Sequence, residues 1–537
     1  MSRDVEELWG AARSAIVLSI GDILYNFFLF LGYVVIQRLL GREGYGLYSL
    51  VLSIPTITLS FISLSIDTAI TRYLKFYIVK GSAKDVEKVV KASLYMKTLI
   101  GIGATAICFL FAEQLSVVLI SRPDAYNYVK FISITAILYS LYTYFLSVFV
   151  GFEKVWMNTI LKIIYSVSRL ISVVPLLLLG FRVLGALASY ILSLCISVMM
   201  GFVYWFSFMK KNVVSVGDGD RLLGYGYIVR NLVVYSLPLH ISTTISTLLS
   251  MYQTMLLSRV LTDIEIGEYR AVLNLQTLLT VVTGPISLAL LPMYTKVNAK
   301  GDREGLSEVF SMSNRYIALV MIPLTTVLIT FSKEIIYIVY GSEYVSAYVY
   351  ASLIFAPNLL AGFGSIAIPQ LFNAVGETKL NLYTSLISTT VFIPVSYVLT
   401  IVLNYKLWGF LIASLIASVV GVIIQNIYVI KMFKKALDIK SVTPVYLSSA
   451  LATVPVMLIY ELPLPRPISI TRVVLGGIAY LLIYVSLCIV MKALDEHDLE
   501  FFEKAFSGIP FLNVFIEMLL IVARKIMKFV NSLRLSM

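Results

Sequence analysis

Two histidines, three cysteines and four tryptophans are spread over 537 residues, and only 13% of the chain is charged. Histidine this sparse, with scattered acids, assembles no zinc site and no histidine-dependent triad. Cys108, Cys195 and Cys488 all lie in apolar runs without ligand spacing, so they read as small packing hydrophobes and say nothing about redox compartment. No G-x-x-x-x-G-K-[ST] segment occurs, which argues against direct ATP hydrolysis. Nothing resembles a selectivity filter, which argues against a channel. The paired acids with which a membrane glycosyltransferase would hold a metal-bound donor are missing from the short connections on one face. No cofactor or metal is expected.

Apolar sequence is what the chain has in excess. Hydrophobic residues make up 59% of it, and soluble domains carry about 25% charged residues where this chain carries half that share. Runs long enough to cross roughly 30 Å of hydrocarbon as helices recur along the whole length. Fourteen such spans can be drawn, the first two near 14–37 and 46–66, the fifth near 159–179 and the thirteenth near 444–460. The fold class expected is an all-α integral membrane protein, because only helices or closed barrels satisfy their backbone in lipid.

The net charge of +12 would suit nucleic acid, but its placement points elsewhere. With residues near span ends assigned to the adjoining connection, 30 Lys and Arg fall on the face that holds the N-terminus and 11 on the other. By the positive-inside rule both termini are then cytoplasmic, in a multi-pass protein of the cell membrane. Nucleic acid is not an expected partner; membrane lipids are.

The sequence also repeats itself. "RLLGREGYGLY" (38–48) returns as "RVLTDIEIGEY" (259–269), so that Arg38, Leu40, Gly46 and Tyr48 correspond to Arg259, Leu261, Gly267 and Tyr269, 221 residues on. "FAEQLSVVL" (111–119) returns as "FSKEIIYIV" (331–339), "VGFEK" (150–154) as "VGETK" (375–379), and "LGALASYILS" (184–193) as "WGFLIASLIAS" (408–418). Six spans separate each copy from its partner, an even number, so the halves face the same way as a parallel repeat. The expected organisation is an N-terminal lobe of six helices over 1–208, a linker over 209–231, a second lobe over 232–430, two further helices within 444–491, and a tail over 492–537. The glycine of each Gly-x-Tyr is expected to form a tight turn and the tyrosine to anchor the interface. In the tail, Glu517, Arg524, Lys525 and Lys528 share one side of a helix and Phe515, Val522, Ile526 and Phe529 largely the other, which suits either an interfacial helix or one packed on neighbouring spans.

"RLLGREGYGLYSLVLSIPTITLS" and the stretch from "YSLPLHISTTIS" to "LLPMYTKV" (235–297) resemble the openings of the two lobes of polysaccharide-export proteins. These form the polysaccharide transporter branch of the multidrug/oligosaccharidyl-lipid/polysaccharide exporter superfamily. The resemblance implies two six-helix lobes plus two C-terminal helices, a cavity lined by spans 1, 2, 7 and 8, and alternate opening to each face. It also implies a flippase for a polyprenyl-phosphate- or pyrophosphate-linked oligosaccharide, with H+ or Na+ as a coupling partner. The hinge "TMLLSRVL" lacks the acid that relatives often carry there. A drug or small-amphiphile exporter of the same superfamily is the alternative.

Ionisable groups inside spans are costly and so become candidate sites. Arg169, in the middle of the fifth span, is either a headgroup contact through a guanidinium–phosphate fork or the partner of an acid such as Asp22. Asp22, with Asn26 a turn along the same face, is either an ion site or that partner. Asp67 and Arg72 close the second span, as a local ion pair or as a gate between lobes. His240, after Pro238, is either a proton relay or a hydrogen-bonded packing residue. Arg259 and Arg270 flank the repeated turn, where they meet phosphate or sugar or anchor helix ends.

Overall fold

The computed structural model describes residues 3–212, 224–434, 439–460 and 469–496, with 498–500, 503, 521 and 523–527. Among these residues there is no strand. Among the described residues ten helices are long and apolar enough to cross a membrane, or up to twelve when two bent pairs are each taken as one span. The expected fourteen is not reached by that measure. Arg3–Ile62 is two helices that meet at Gly41, where φ of 69° is a left-handed conformation that glycine adopts without a Cβ clash, so the first two expected spans are counted there as one.

The chain divides into two compact units, residues 1–277 and 278–537. The first holds α1 (Arg3–Ile62), α2 (Ile66–Val79), α3 (Ala83–Leu110), α4 (Ala112–Val118), α5 (Tyr126–Ile132), α6 (Thr135–Gly151), α7 (Val155–Leu178), α8 (Arg182–Asn212), α9 (Tyr225–Val260) and α10 (Asp263–Leu275). The break between units therefore falls at 277/278. The linker expected at 209–231 does not divide them, because α9 packs on α1, α2 and α3 and α10 packs on α1. Much of that linker, 213–223, lies outside the described residues. The core of this unit is aromatic: Tyr144, Phe145 and Phe149 of α6 are fully buried, and Phe145 meets Phe202 edge-on at 4.8 Å. Such edge-to-face pairs add about 0.5–1.5 kcal/mol beyond area burial.

The second unit holds α11 (Thr277–Asn298), α12 (Arg303–Thr330), α13 (Ser332–Tyr340), α14 (Tyr348–Phe355), α15 (Ala367–Ala374), α16 (Thr378–Tyr397), α17 (Lys406–Phe433), α18 (Ile439–Tyr460) and α19 (Ser469–Val490). Its core joins α12, α18 and α19 through Ile322, Phe331, Val445, Val456, Tyr480 and Tyr484. Of the tail, Ala523 and Ile526 pack near Ile489 and Leu499, and Arg524 pairs with Glu503. The amphipathic residues Phe515, Glu517, Val522, Lys528 and Phe529 lie outside the described residues.

The repeat read from the sequence recurs in the backbone. Phe111 ends α3 with φ/ψ of −102°/21°, and Phe331 ends α12 with −99°/17°, each opening a short helix at once. Glu153 and Gly376 both take positive φ ahead of α7 and α16. Arg182 and Lys406 do the same at 42° and 47° where α8 and α17 begin. Non-glycine residues rarely adopt such angles. Three shared breaks in one order are the mark of one fold unit used twice.

Candidate functional site

α2 carries a polar face and a buried one. Ile66, Ala69, Ile70, Leu74 and Tyr77 pack inward at helical spacing, and Asp67, Thr68, Thr71, Arg72 and Lys75 stand on the other side. With Ser147 and Val150 of α6 and Asn158 and Lys162 of α7, that polar face lines a cleft of about 1100 Å³. Four bases (Arg72, Lys75, Lys80, Lys162) and one acid (Asp67) line it, with an apolar wall of Phe76, Val79, Leu146 and Val150.

The charges around the cleft are largely paired. Lys162 Nζ lies 2.7 Å from Asp22, Lys75 lies 2.8 Å from Glu153, and Lys97 Nζ, 2% exposed, lies 2.7 Å from Asp67. Lys97 also donates to Thr143 at 3.0 Å, and Ser147 donates to Asp67 at 3.1 Å. Arg72 stacks 4.3 Å from the centre of the Tyr235 ring. Arg72 and Lys80 have no carboxylate partner among the described residues. The cleft keeps a positive excess after pairing, the electrostatics of an anion site.

Two expected ion pairs are replaced. Asp22 pairs with Lys162 and not with Arg169, while Asn26 donates to the Asp22 backbone carbonyl at 2.8 Å. Asp67 pairs with Lys97 of α3 and not with Arg72, which turns to Tyr235. Lys97 and Lys162 fall near the starts of the spans drawn at 93–112 and 159–179, where a lysine also fits as charge flanking a connection. Their position in apolar sequence was the signal.

Arg169 is 3% exposed and sits in a cage of tyrosines. Nη2 donates to the Tyr48 hydroxyl at 2.6 Å and Nη1 to that of Tyr165 at 3.3 Å. The guanidinium lies 4.9 Å from the Tyr33 ring centre and 5.0 Å from that of Tyr190. No carboxylate pairs with it among the described residues. Arginine at a helix centre costs about 2.5–3.5 kcal/mol on insertion scales. Cation–π contacts of about 0.5–2 kcal/mol each offset this, together with hydrogen bonds from a charged donor at about 1.5–3 kcal/mol. Of the two readings of Arg169, neither contact is formed in this state: hydroxyls of Tyr48 and Tyr165 take Nη2 and Nη1, two rings flank the guanidinium, and Nε is buried with no hydrogen-bond partner among the described residues.

Around the Gly41 break in α1 the two copies of the repeat meet. A Cβ on Gly46 would overlap the Asp263 carbonyl, and a Cβ on Gly267 would overlap that of Arg42, both far inside the 3.0 Å that real Cβ atoms respect. The repeated glycine thus permits close helix packing; the turn belongs to Gly41 in one copy. In the other it belongs to Leu261 and Thr262, where a capping box joins Thr262 and Glu265. The repeated tyrosines are buried and not interfacial: Tyr48 is 1% exposed and Tyr269 9%.

Polar contacts reinforce this junction. Arg42 pairs with the buried Glu268 at 2.7 Å, and Asn274 donates to the Tyr45 hydroxyl at 2.7 Å. Arg122, between α4 and α5, reaches Asp263 with Nε at 2.8 Å and the carbonyls of Ser258 and Leu261 with Nη1 and Nη2, both at 2.9 Å. Those carbonyls end α9 and have no helical partner, so the guanidinium caps them. Arg259 is exposed, and Arg270 lies 6.0 Å from the Tyr269 ring centre; neither shares the cleft with Arg72 and Lys162.

In this geometry His240 is buried, with one ring nitrogen bonded and Nδ1 buried without a partner among the described residues. Its Nε2 lies 3.0 Å from the Phe61 carbonyl, one of the unpaired carbonyls at the end of α1. Thr243 and Thr244 both donate to the His240 carbonyl, and α9 bends by 46° there, just after Pro238. Competing hydroxyl bonds of this kind bend helices.

Comparison with known proteins agrees with this architecture. The profile of the family described as polysaccharide biosynthesis protein matches residues 11–298, and that of the MatE family matches residues 238–398. An uncharacterised membrane protein of Methanocaldococcus jannaschii is 21% identical over 473 residues, 85% of this chain and 90% of that protein. The fold is similar to that of the lipid II flippase MurJ in an inward closed conformation, with a TM-score of 0.68 at 16% identity over 88% of this chain and 99% of that one. It is also similar to an inward-facing multidrug resistance MATE family transporter of the MOP superfamily, with a TM-score of 0.62 at 15% identity over 78% of this chain and 99% of that one.

Proposed function

The chain belongs to the polysaccharide biosynthesis protein family, within the multidrug/oligosaccharidyl-lipid/polysaccharide exporter superfamily, and from that membership we propose that it flips a polyprenyl-phosphate- or pyrophosphate-linked oligosaccharide across the cell membrane. The observation that carries this reading is the cleft on α2, α6 and α7. By the charge rule it lies on the cytoplasmic side, where such a glycan is assembled before it crosses. Its bases suit a phosphate, and Phe76, Val79, Leu146 and Val150 suit the first apolar units of the carrier.

In the proposed cycle the headgroup enters this cleft from the cytoplasmic leaflet while the tail stays in the bilayer. The junction of α1 and α10 holds the other face closed. Its release exposes the headgroup outside, driven by an ion gradient, the membrane potential or downstream consumption. Drug export of the MATE kind is the second reading, favoured by the MatE match at 238–398. A cleft with surplus positive charge repels the cationic amphiphiles such an exporter would carry.

Binding in nanodiscs tests the proposal. A polyprenyl diphosphate glycan should bind the wild-type protein and lose roughly tenfold affinity or more, about 1.4 kcal/mol, in Arg72→Glu with Lys80→Glu. A neutral isoprenoid alcohol should be indifferent to the change. Equal binding of the diphosphate by wild type and the double variant would overturn the assignment.

A further inference from the structure

Arg169 touches both of the helices that meet at Gly41 in α1. Tyr33 lies before the Gly41 bend and Tyr48 after it, and one guanidinium stacks on the first and hydrogen-bonds the second. The helix beyond Gly41 carries three contacts that close on α10. Tyr45, whose ring lies 5.8 Å from that of Tyr48, accepts from Asn274; Gly46 lies against Asp263; Arg42 pairs with Glu268. A continuous set of contacts therefore runs from the middle of α7, through the cage, to the junction of the two repeats.

We infer that Arg169 is a positioning residue for transport: it pins the angle of α1 at Gly41 and so sets whether the α1–α10 junction is closed. Three features of the cage fit this role. Its members come from α1, α7 and α8, so a change in the angle of α1 must break the Tyr48 bond or the Tyr33 stack. The acceptors are neutral phenols, which hold a guanidinium in place yet release it more readily than a buried carboxylate would. The guanidinium is 3% exposed, with Nε buried and unpartnered among the described residues, so no ligand reaches it in this state. The inference rests on the flippase reading only for the cargo; the motion it describes can be measured without one.

Spin labels at two exposed positions, Leu39 near the bend and Ile264 on α10, report the junction. They are placed by cysteine substitution in full-length protein whose Cys108, Cys195 and Cys488 are replaced by alanine. Pulsed dipolar spectroscopy in nanodiscs should show one short distance in the parent. Arg169→Met and Tyr48→Phe should each add a population longer by roughly 5 Å, one helical turn, or more. Arg169→Lys should restore part of the short population, since a point charge can meet one phenol but not the whole cage. Tyr48→Phe removes a single oxygen, so it remains informative if Arg169→Met fails to fold. Binding of a polyprenyl diphosphate glycan should change less than twofold in all three. Unchanged distances in Tyr48→Phe would overturn the inference. So would loss of glycolipid binding in Arg169→Met at unchanged distances, which would make Arg169 a ligand. Altered distances in a protein that binds no glycolipid would leave the pin standing and remove the flippase reading instead.

Discussion

Gly46 and Gly267 are equivalent residues, 221 positions apart, and each is pressed against the residue that corresponds to the other's contact. Gly46 lies on the Asp263 carbonyl and Gly267 on the Arg42 carbonyl, and Arg42 and Asp263 are themselves 221 apart. This is an isologous contact inside one chain, the signature of a local two-fold axis between repeats. Because both contacts are backbone to backbone, neither side can yield by a rotamer change.

Alanine at either glycine should therefore wedge the junction apart. Overpacking of this kind costs typically about 1–3 kcal/mol, enough to shift a gate's population several-fold. Gly46→Ala and Gly267→Ala should have similar effects on the labelling of a cysteine at position 264 by a membrane-impermeant thiol reagent. Gly32→Ala, where a Cβ meets nothing within 4 Å, is the control and should match wild type. A junction variant that labels like the control would show that the contact does not close the path.

Arg122 should prove a latch on the same junction. Its three bonds to Asp263, Ser258 and Leu261 leave unpaired carbonyls when removed, at about 1–3 kcal/mol for each buried group left unsatisfied. Arg122→Ala should increase labelling at position 264 and lower the thermal midpoint, and Arg122→Lys should recover only the Asp263 pair. Labelling and midpoint both unchanged would mean the three bonds contribute little.

Lys97, 2% exposed, is held by Asp67, whose side chain is 37% exposed on the cleft, and the losses in Asp67→Asn and Lys97→Met should not add in the double variant. Asp67→Asn leaves an uncompensated ammonium in the core, which costs about 3–5 kcal/mol. Asp67→Asn with Lys97→Met should be the more stable of the two in thermal unfolding. Additive losses would show that Lys97 does not depend on Asp67 for its charge.

The fold was legible in the sequence because membrane helices need long apolar runs and a repeat needs only matching breaks. Phe111 with Phe331, and the glycine or acid before α7 and α16, were visible as words before they were visible as backbone. The partners of the charged residues were not. Asp67 lies five residues from Arg72 but pairs with Lys97, thirty residues on, because α2 turns Asp67 toward α3 and α6 and leaves Arg72 to Tyr235. Arg169 was legible as an oddity; that phenols alone would hold it was not, since Tyr33, Tyr48 and Tyr190 converge only in three dimensions. The glycine of Gly-x-Tyr was singled out correctly and given the wrong task, because a sequence shows small size but not whether a turn or a neighbouring helix requires it.

Transfer between leaflets is the most direct test of what the cleft and the junction do together. Protein reconstituted into vesicles with a fluorescent polyprenyl diphosphate oligosaccharide should make the sugar of the inner-leaflet pool accessible to an external glycan-specific quencher, faster than vesicles without protein. The rate at subsaturating glycolipid should fall at least roughly tenfold, in step with affinity, when Arg72 and Lys80 are reversed to glutamate. Leaflet exchange no faster than in protein-free vesicles, or equally fast with the cleft reversed, would contradict lipid-linked glycan flipping by this route.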